Sequence, residues 1–285
     1  MATYEPYEIR PLPKYLESSP LAKYYYHPKI APQEYWDDIG DNTAKDPSLQ
    51  MTIQNRCDIF KPGYRPIERG WSILPDGTGT CAGYMMFPNC TPEMLYWWFS
   101  WSMADPIRGM MWEPKNHIGC ITTRDQIEKA CDYSVPLEKR MHGIHWFPID
   151  LGVRPDPNAE PAPCRIQVYS PAEFGMEEAF EQNKKDVAML CYQVGPIGGR
   201  PITSFIHTMR RVEGGAELRS QFWYGWRFEN GQPVHADVIL PEIPMTNTCK
   251  TQNIHLIEEY YQLSQILAEL YAEYGDKQDD PHLYF

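Results

Sequence analysis

The clearest pattern of apolar and polar positions runs through the C-terminal part of the chain. Over residues 247–274, apolar side chains including Leu263, Ile266 and Leu270 recur at the three- and four-residue spacing of a helix face. The Thr-Asn-Thr run at 246–248 supplies residues that commonly cap helix N-termini. The pattern therefore predicts one long helix from about Asn247 to Tyr274.

Shorter apolar runs, separated by turn residues, predict strands in the middle of the chain. They are Trp71–Leu74, Thr80–Phe87, GIHWFPIDL, CRIQVYS, DVAMLCYQV and the hairpin PITSFIHTMRRVEGGAELRSQFWYGWRF, which turns at Gly214–Gly215. One short helix is predicted to begin at Thr91. Because few helices separate the strands, the pattern disfavours a doubly wound parallel sheet. The predicted fold class is α+β, with a curved antiparallel sheet gripping the long helix.

The first 50 residues or so have weak periodicity and are rich in Pro, Tyr and charged residues. We predict that residues 1–55 form an N-terminal arm or lid, partly helical, beside a main domain that spans residues 56–285. Such an arm is typical of a dimer contact, so a homodimer is expected.

Composition narrows the possible partners. The net charge of -12 disfavours a nucleic-acid backbone, because phosphate binding needs clustered Lys and Arg. The polar N-terminus lacks the apolar stretch of a signal peptide, and no apolar run approaches the ~20 residues of a membrane span. The eight cysteines form no CxxC pair. We expect a soluble, cytoplasmic protein with neither membrane nor nucleic-acid partners.

His255 and Glu259 are the first candidate site residues. Their four-residue spacing places them on adjacent turns of the long helix, within reach of one metal ion. Glu259 falls inside the apolar face of that helix and His255 at its edge. An ionised carboxylate that faces a core needs a partner, and a metal would provide one. The alternative is an exposed His–Glu pair.

Further candidates lie on the predicted strands. His117 stands just before the apolar run Ile118–Thr123, and His142 and His145 lie in the stretch MHGIHWFPIDLG. Asp150 follows in the same stretch, either as an oxygen ligand or as a turn residue before Gly152. His207 shares a strand face with Phe205 and Met209. It could act as a general acid or base, or equally be a structural histidine with a cross-strand hydrogen bond.

Four segments, in this order, resemble one known family. TPEMLYWWFSW, PIRGMMWEPKNH, HTMRRVEGGAELRSQFWYG and HLIEE resemble motifs of the family of 2,4-diacetylphloroglucinol hydrolase and phloretin hydrolase, over roughly residues 60–275. The resemblance implies a helix-grip fold like that of the Bet v 1 group, with Zn²⁺ held inside it by two His and two Glu.

The resemblance assigns metal ligands residue by residue. His117 stands at the first family ligand, and His255 and Glu259 stand at the last two. The family's remaining ligand, a Glu, is absent, and Asp150 is the nearest carboxylate and the predicted substitute. The chain also carries Gly109 where the family has a substrate-contacting Tyr, and Cys120 where the family has a polar residue such as Asn.

The activity that the resemblance implies is zinc-dependent hydrolysis of a C–C bond next to a carbonyl, in an acylated phenol or related aromatic polyketide. Zinc lowers the pKa of a bound water towards ~7, which supplies the nucleophile. His207 and Tyr224 are the predicted catalytic residues, with His207 transferring a proton or orienting water. The predicted substrate-binding residues are Trp112, Gly109, Cys120 and Trp223.

Two other functions stay open on the sequence alone. Two His and one carboxylate also form the ligand triad of non-haem iron oxygenases. A helix-grip protein can also be a non-catalytic carrier of hydrophobic ligands, since fold does not fix function.

Overall fold

The computed structural model describes residues 1–156, 158 and 164–280. This part of the chain contains ten strands and eight α-helices. The strands are β1 Gly70–Ile73, β2 Gly79–Pro88, β3 His117–Ile121, β4 His145–Asp150, β5 Cys164–Tyr169, β6 Val187–Pro196, β7 Thr203–Val212, β8 Gly215–Tyr224, β9 Trp226–Glu229 and β10 Gln232–His235. The α-helices are α1 Ala22–Tyr26, α2 Gln33–Asp37, α3 Glu93–Ser102, α4 Pro106–Trp112, α5 Arg124–Ala130, α6 Leu137–Arg140, α7 Glu177–Asn183 and α8 Glu242–Tyr274. Short 3₁₀ helices cover Pro47–Leu49, Ile53–Phe60 and Ala172–Phe174.

Eight strands form one sheet in the order β1-β2-β8-β7-β6-β5-β4-β3, and every neighbouring pair is antiparallel. β9 and β10 pair separately as a hairpin. The predicted combination of a large antiparallel sheet with a long C-terminal helix is therefore confirmed, and the chain is α+β.

The β7–β8 hairpin is the most regular part of the sheet. Val212 pairs with Gly215, which leaves Glu213 and Gly214 as a two-residue turn. Gly214 has φ of +80°, a backbone conformation that residues with a side chain rarely adopt. The Gly-Gly pair thus sets the register of both strands, as the sequence predicts.

Alternation along β8 divides its side chains between two cores. Leu218, Phe222 and Tyr224 belong to the inner core, which also contains the buried side of α8. Trp223 points the other way, into a smaller outer core covered by the 3₁₀ helix Ile53–Phe60 and by α7. Any functional group on the inner face of the sheet consequently faces α8.

The helix α8 begins five residues before the predicted start, at Glu242, directly after Pro241. Proline is tolerated there because the first turn of a helix needs no N–H donors. Leu263, Ile266 and Leu270 are buried as the periodicity predicts.

Residues 1–55 pack onto the same inner core through Leu12, Leu16 and Tyr25. The side chain of Gln262 on α8 fixes this segment, because it accepts a hydrogen bond from the Lys29 N–H (2.6 Å) and donates one to the Tyr24 carbonyl (3.2 Å). The division of the chain at residue 55 stays a prediction. Among the described helices, none combines the length and apolarity needed to cross a membrane.

Candidate metal centre

Two strands and the long helix bring four predicted ligands together. His117 opens β3 and Asp150 closes β4, and the antiparallel register of these strands places the two residues directly opposite each other. His255 and Glu259 face them from adjacent turns of α8. The four side chains are separated by up to 142 positions in the sequence, yet they meet at one point in the fold.

The distances between the donor atoms are short. Nε2 of His255 lies 3.4 Å from Nε2 of His117, 3.4 Å from Oε2 of Glu259 and 3.5 Å from Oδ2 of Asp150. Nε2 of His117 lies 3.7 Å from the same Asp150 oxygen and 3.9 Å from the same Glu259 oxygen. Two nitrogen atoms and two carboxylate oxygens therefore converge.

These separations fit a tetrahedral metal site. With zinc–ligand distances of about 2.0–2.2 Å, the edges of the tetrahedron measure about 3.3–3.6 Å. The five separations given above are within a few tenths of an ångström of this range. Two imidazole and two carboxylate donors also suit zinc chemically. The residues present thus fit the metal that the family resemblance implies.

Hydrogen bonding orients one of the histidines. Nδ1 of His117 lies 3.1 Å from the carbonyl oxygen of Gly109 on α4, to which it can donate a proton. Such a bond fixes the tautomer that leaves Nε2 free as a ligand. The predicted substrate-binding residue Gly109 therefore holds His117 through its backbone. A Cβ added at Gly109 would meet no atom within 4 Å, so the space beside it is open.

The carboxylates of the cluster stabilise a positive charge placed among them. Burial lowers the pKa of His255, but the charges of Glu259 and Asp150 outweigh burial and raise that pKa well above its usual value. Burial raises the pKa of Asp150, but His255 and His117 outweigh it and lower that pKa below its usual value. A cation between these groups would replace the proton on the histidine.

Asp150 combines the two roles that the sequence leaves open. Its Oδ1 accepts a hydrogen bond from the Gly152 N–H (2.6 Å), as expected of a turn residue. Its Oδ2 faces His117 and His255. The turn thus fixes the orientation of the carboxylate. The other candidate on this strand, His145, lies at the opposite end of β4 from Asp150.

Glu113 also lies at the centre, although it is not among the residues predicted from the sequence. One of its carboxylate oxygens and one ring nitrogen each of His117 and His255 lie within 4.8 Å of one another, a group that could hold a metal ion. A single turn, closed by the His117 N–H bonding to the Glu113 carbonyl (2.9 Å), brings the pair together. The four-residue spacing of Glu113 and His117 is the signal in the sequence.

His207 lies on the inner face of β7 within an aromatic cage. The rings around it are those of Phe99, Tyr192, Phe205, Phe222 and Tyr260. Burial lowers the pKa of His207 to about 3, so the imidazole is neutral at physiological pH. Its Nδ1 lies 2.8 Å from the Ser220 hydroxyl and its Nε2 lies 2.9 Å from the Tyr260 hydroxyl. Tyr260 and Ser220, the polar neighbours of His207, are not among the residues predicted from the sequence.

Other predicted site residues lie in different surroundings. The Tyr224 hydroxyl, on the inner face, donates to Oε1 of Gln252 on α8 at 3.1 Å. Trp223 lies on the outer face of β8, where its Nε1 donates to the Met51 carbonyl at 3.0 Å, so the structure does not bring it together with Tyr224. Cys120 lies on β3, and burial raises the pKa of its thiol to about 11.

Trp112 links the metal centre to the aromatic cage. Its ring lies edge-on to the rings of His117 (centroids 5.3 Å apart) and Phe99 (5.5 Å). Phe99 in turn stacks against His207, with centroids 5.7 Å apart. The predicted metal ligands and His207 therefore border one aromatic interior.

Together the fold and the site define a class of protein, in which an antiparallel sheet packs on a long helix and a His-carboxylate cluster suited to a metal lies between them. The family model described as DAPG hydrolase PhiG domain matches residues 49–272. The chain belongs to this family, which confirms the resemblance seen in the sequence.

Named relatives agree with this assignment. A 2,4-diacetylphloroglucinol hydrolase from Pseudomonas sp. is 24% identical over 272 residues, covering 91% of this chain and 90% of the relative. A phloretin hydrolase from Eubacterium ramulus is 28% identical over 213 residues, covering 73% and 72%. A Staphylococcus aureus structure of unknown function is 9% identical, covers 69% of this chain and 96% of its own, and has a TM-score of 0.35, too low to bear on the fold.

Proposed function

We propose that this protein is a metal-dependent hydrolase that cleaves the C–C bond next to a carbonyl in an acylated phenol or related aromatic polyketide. The observation that carries the proposal is the convergence of His117, Asp150, His255 and Glu259 beside an aromatic interior. Family membership and the names of the relatives support the substrate class.

The ion we assign to this centre is Zn²⁺, which His117, His255, Asp150 and Glu259 would hold. When bound, zinc acts as a Lewis acid and lowers the pKa of water that it coordinates. Asp150 takes the place of the Glu that the family resemblance implies. Glu113, whose Oε2 accepts a hydrogen bond from the Asn116 N–H (2.6 Å), would remain beside this ligand set.

The reaction balances as a hydrolysis. Water adds to the acyl carbon, the bond from that carbon to the ring breaks, and the ring carbon takes up a proton. The products are a carboxylic acid and the deacylated phenol. A ring in its keto tautomer makes this cleavage accessible, because the departing carbanion is a stabilised enolate.

The chain's own residues would exclude water and guide the proton. Phe99 and Trp112 present flat apolar surfaces that suit an aromatic ring. Both ring nitrogens of neutral His207 are engaged by the hydroxyls of Ser220 and Tyr260, so His207 would pass a proton to substrate or water through one of these hydroxyls. We further propose that the sheet and α8 correspond to the helix-grip arrangement of the Bet v 1 group, and that the protein forms a homodimer.

Elemental analysis of protein purified without added metal, followed by assays on acylated phenols, tests the proposal. We expect about one zinc per chain, and release of carboxylic acid from 2,4-diacetylphloroglucinol, phloretin or a related acylphenol. His255→Ala should remove both the metal and turnover, because it deletes the donor at the centre of the cluster.

Three results would contradict the proposal. Full turnover by His255→Ala, or turnover that persists after chelation, would show that the cluster is not the catalytic centre. Iron together with oxygen consumption would indicate an oxygenase. Failure to bind any metal would indicate a ligand carrier.

A further inference from the structure

A short C-terminal tail, residues 275–280, follows α8 and returns to the helix α4. Its Asp279 accepts two hydrogen bonds from Arg108 of α4, from Nη1 to Oδ2 (2.6 Å) and from Nη2 to Oδ1 (2.9 Å). The pair is well buried, with 7% of the Arg108 side chain and 15% of the Asp279 side chain exposed. Bidentate pairs of this kind fix geometry as well as charge. The tail therefore holds α4 from a point 171 residues further along the chain.

Both partners of this pair are themselves held in place. The Arg108 guanidinium lies over the Trp101 ring, 4.1 Å from its centroid, and its Nη1 also donates to the Trp101 carbonyl at 2.8 Å. The Asp279 N–H donates to the Tyr133 hydroxyl at 2.8 Å. The Tyr274 ring, at the end of α8, packs against Trp101 with centroids 5.3 Å apart. These contacts define one arrangement of the guanidinium and the carboxylate.

Helix α4 needs external contacts because it is short. It has seven residues, Pro106–Trp112, and isolated helices of that length are not stable. The last carbonyls of a helix have no partner within the helix. In α4 the Gly109 carbonyl lies 3.1 Å from Nδ1 of His117, and the Met111 carbonyl accepts a hydrogen bond from Nε2 of Gln262 (3.1 Å). The position of α4 therefore determines where the His117 ring finds its partner.

Gly109 has no side chain that could fix its own carbonyl. Even a Cβ at this position would meet no atom within 4 Å, so the neighbouring residues must hold the backbone here. Met110 does so by burial in the inner core, and Arg108 does so through Asp279. Because Arg108 directly precedes Gly109, a change in how its side chain is held passes to the Gly109 carbonyl through the backbone.

We propose, on the basis of the proposed function, that Asp279 is a positioning residue of the metal centre. It acts through Arg108 and the Gly109 carbonyl to fix the orientation of the His117 ring. Loss of a group that orients a ligand histidine weakens metal binding by about 10–100-fold. Asp279 acts through two intermediate residues, which places its expected effect at the lower end of that range.

Exchange of the His117 Nδ1 proton with water reports the orientation of the ring directly. NMR of protein that contains ¹⁵N-labelled histidine follows this exchange in the metal-free state, without metal or turnover. Asp279→Asn removes the charge and keeps the size of the side chain. It should speed the exchange about tenfold, because the Gly109 carbonyl is then held less firmly.

Zinc affinity, measured by competition with a chromophoric chelator, is the second readout. It should fall about tenfold in Asp279→Asn. Asp279→Glu keeps a carboxylate and should stay within about threefold of wild type. Arg108→Lys keeps the positive charge but loses the bidentate contact, so it should act like Asp279→Asn, and the test survives if one variant fails to fold.

Asp276→Asn is the matched control, because it makes the same chemical change in the same tail at an exposed residue. It should leave both the proton exchange and the zinc affinity at the wild-type level. If it has the same effect as Asp279→Asn, the charge of the tail is responsible and the positioning role of Asp279 is wrong.

The outcomes separate the positioning role from the proposed function. If His117 exchange is unchanged in Asp279→Asn and Arg108→Lys, the positioning role is wrong, even if acylphenols are hydrolysed. Unchanged zinc affinity in these variants would also overturn it, because the pair would then only anchor the tail. If the wild-type protein binds no metal but His117 exchange still depends on Asp279, the positioning role stands and the metal-dependent hydrolase is wrong.

Discussion

The two faces of strand β8 bury charged groups in opposite ways. On the outer face, Arg219 makes two hydrogen bonds to Glu68 (2.6 and 3.1 Å), and Arg65 donates to the same carboxylate (2.8 Å). On the inner side, the carboxylates of Asp150 and Glu259 lie beside two histidines.

The difference lies in where the balancing charge comes from. Outside, the fixed guanidinium groups of Arg65 and Arg219 bind the carboxylate of Glu68, and these three residues form the outer network. A separate pair, Arg210 with Glu217, lies on the same face of the sheet. Inside, neutralisation depends on a proton on His255 or on an added cation. Buried charge that the chain balances itself is costly to disrupt, because removing one partner leaves the other unpaired, whereas buried charge that the chain leaves unbalanced can bind a cation.

The largest effect is expected from breaking the outer network. Glu68→Gln leaves the buried guanidinium groups of Arg219 and Arg65 without their carboxylate. Removing one partner of such a buried network typically costs about 3–5 kcal/mol. Urea unfolding of the metal-free protein at pH 7 should show a loss of this size, while metal affinity of the folded variant stays unchanged.

The stabilisation that Glu68 provides should depend on pH. Burial raises the pKa of Glu68, but hydrogen bonds from Arg65 and Arg219 outweigh it and lower that pKa from 4.5 to about 2. A carboxyl group whose pKa is lowered in the folded state stabilises the protein at pH values above its ordinary pKa, and this stabilisation is lost as the pH falls through the lowered pKa. For Glu68 the stabilisation is on the order of 3 kcal/mol.

The stability gap between wild type and Glu68→Gln should therefore shrink as pH falls below about 4.5 towards 2. The matched control is Glu269→Gln, because Glu269 pairs with Lys23 at the surface, where 59% of the Glu269 side chain is exposed. That change should cost less than ~1 kcal/mol. Equal costs for the two substitutions would show that the outer network adds little.

A smaller effect should come from changing Asp150, which we place among the metal ligands. It lies in the metal centre on the inner side of the sheet, the inner centre. Asp150→Asn removes one anionic donor and should weaken zinc binding by roughly 100-fold, since substitutions even outside the ligand set cost 10–100-fold. Competition with a chromophoric chelator measures this loss. Asp150→Glu should stay within about tenfold of wild type, because it restores a carboxylate with longer reach.

Glu113→Gln sharpens this test. Glu113 also approaches both histidines, with its oxygen and their nitrogens within 4.8 Å of one another, but its Oε2 already accepts a hydrogen bond from the Asn116 N–H (2.6 Å). We expect a weaker loss of zinc affinity than for Asp150→Asn. The reverse order would assign the metal to Glu113, His117 and His255.

The sequence predicts what depends on local periodicity. The i, i+4 pair of His255 and Glu259 needs only a helix, and the apolar positions Leu263 and Ile266 fix which face of that helix is buried. The Gly-Gly turn similarly defines the β7–β8 hairpin. These features come from neighbours in the chain.

The register in which two strands pair cannot be predicted from such local patterns. Asp150 meets His117 because β3 and β4 pair with these two residues opposite each other, with an irregularity between His117 and Gly119. No local signal gives that pairing.

The prediction that Trp223 and Tyr224 both belong to the site, by contrast, conflicts with strand alternation, which puts adjacent residues on opposite faces. That separation is readable from the sequence.

The smallest expected effect tests how closely the inner centre depends on packing of the sheet against α8. Gly83 on β2 lies under the helix, and a Cβ there would come within 2.8 Å of Cδ1 of Leu256, the neighbour of His255. Gly83→Ala should therefore cost about 1–2 kcal/mol through overpacking. Since the end of a leucine side chain can move without the backbone, zinc affinity should change no more than about threefold. Urea unfolding and chelator competition measure the two effects.

Gly109→Ala is the control for this prediction, because a Cβ at Gly109 meets no atom within 4 Å and the residue lies in the helix α4. Alanine should stabilise that helix by about 0.5–1 kcal/mol. A large loss of zinc affinity in Gly83→Ala would mean that the overpacking moves the backbone of α8 and carries His255 with it. The inner centre would then depend on the sheet–helix spacing as strictly as the outer network depends on its ion pairs.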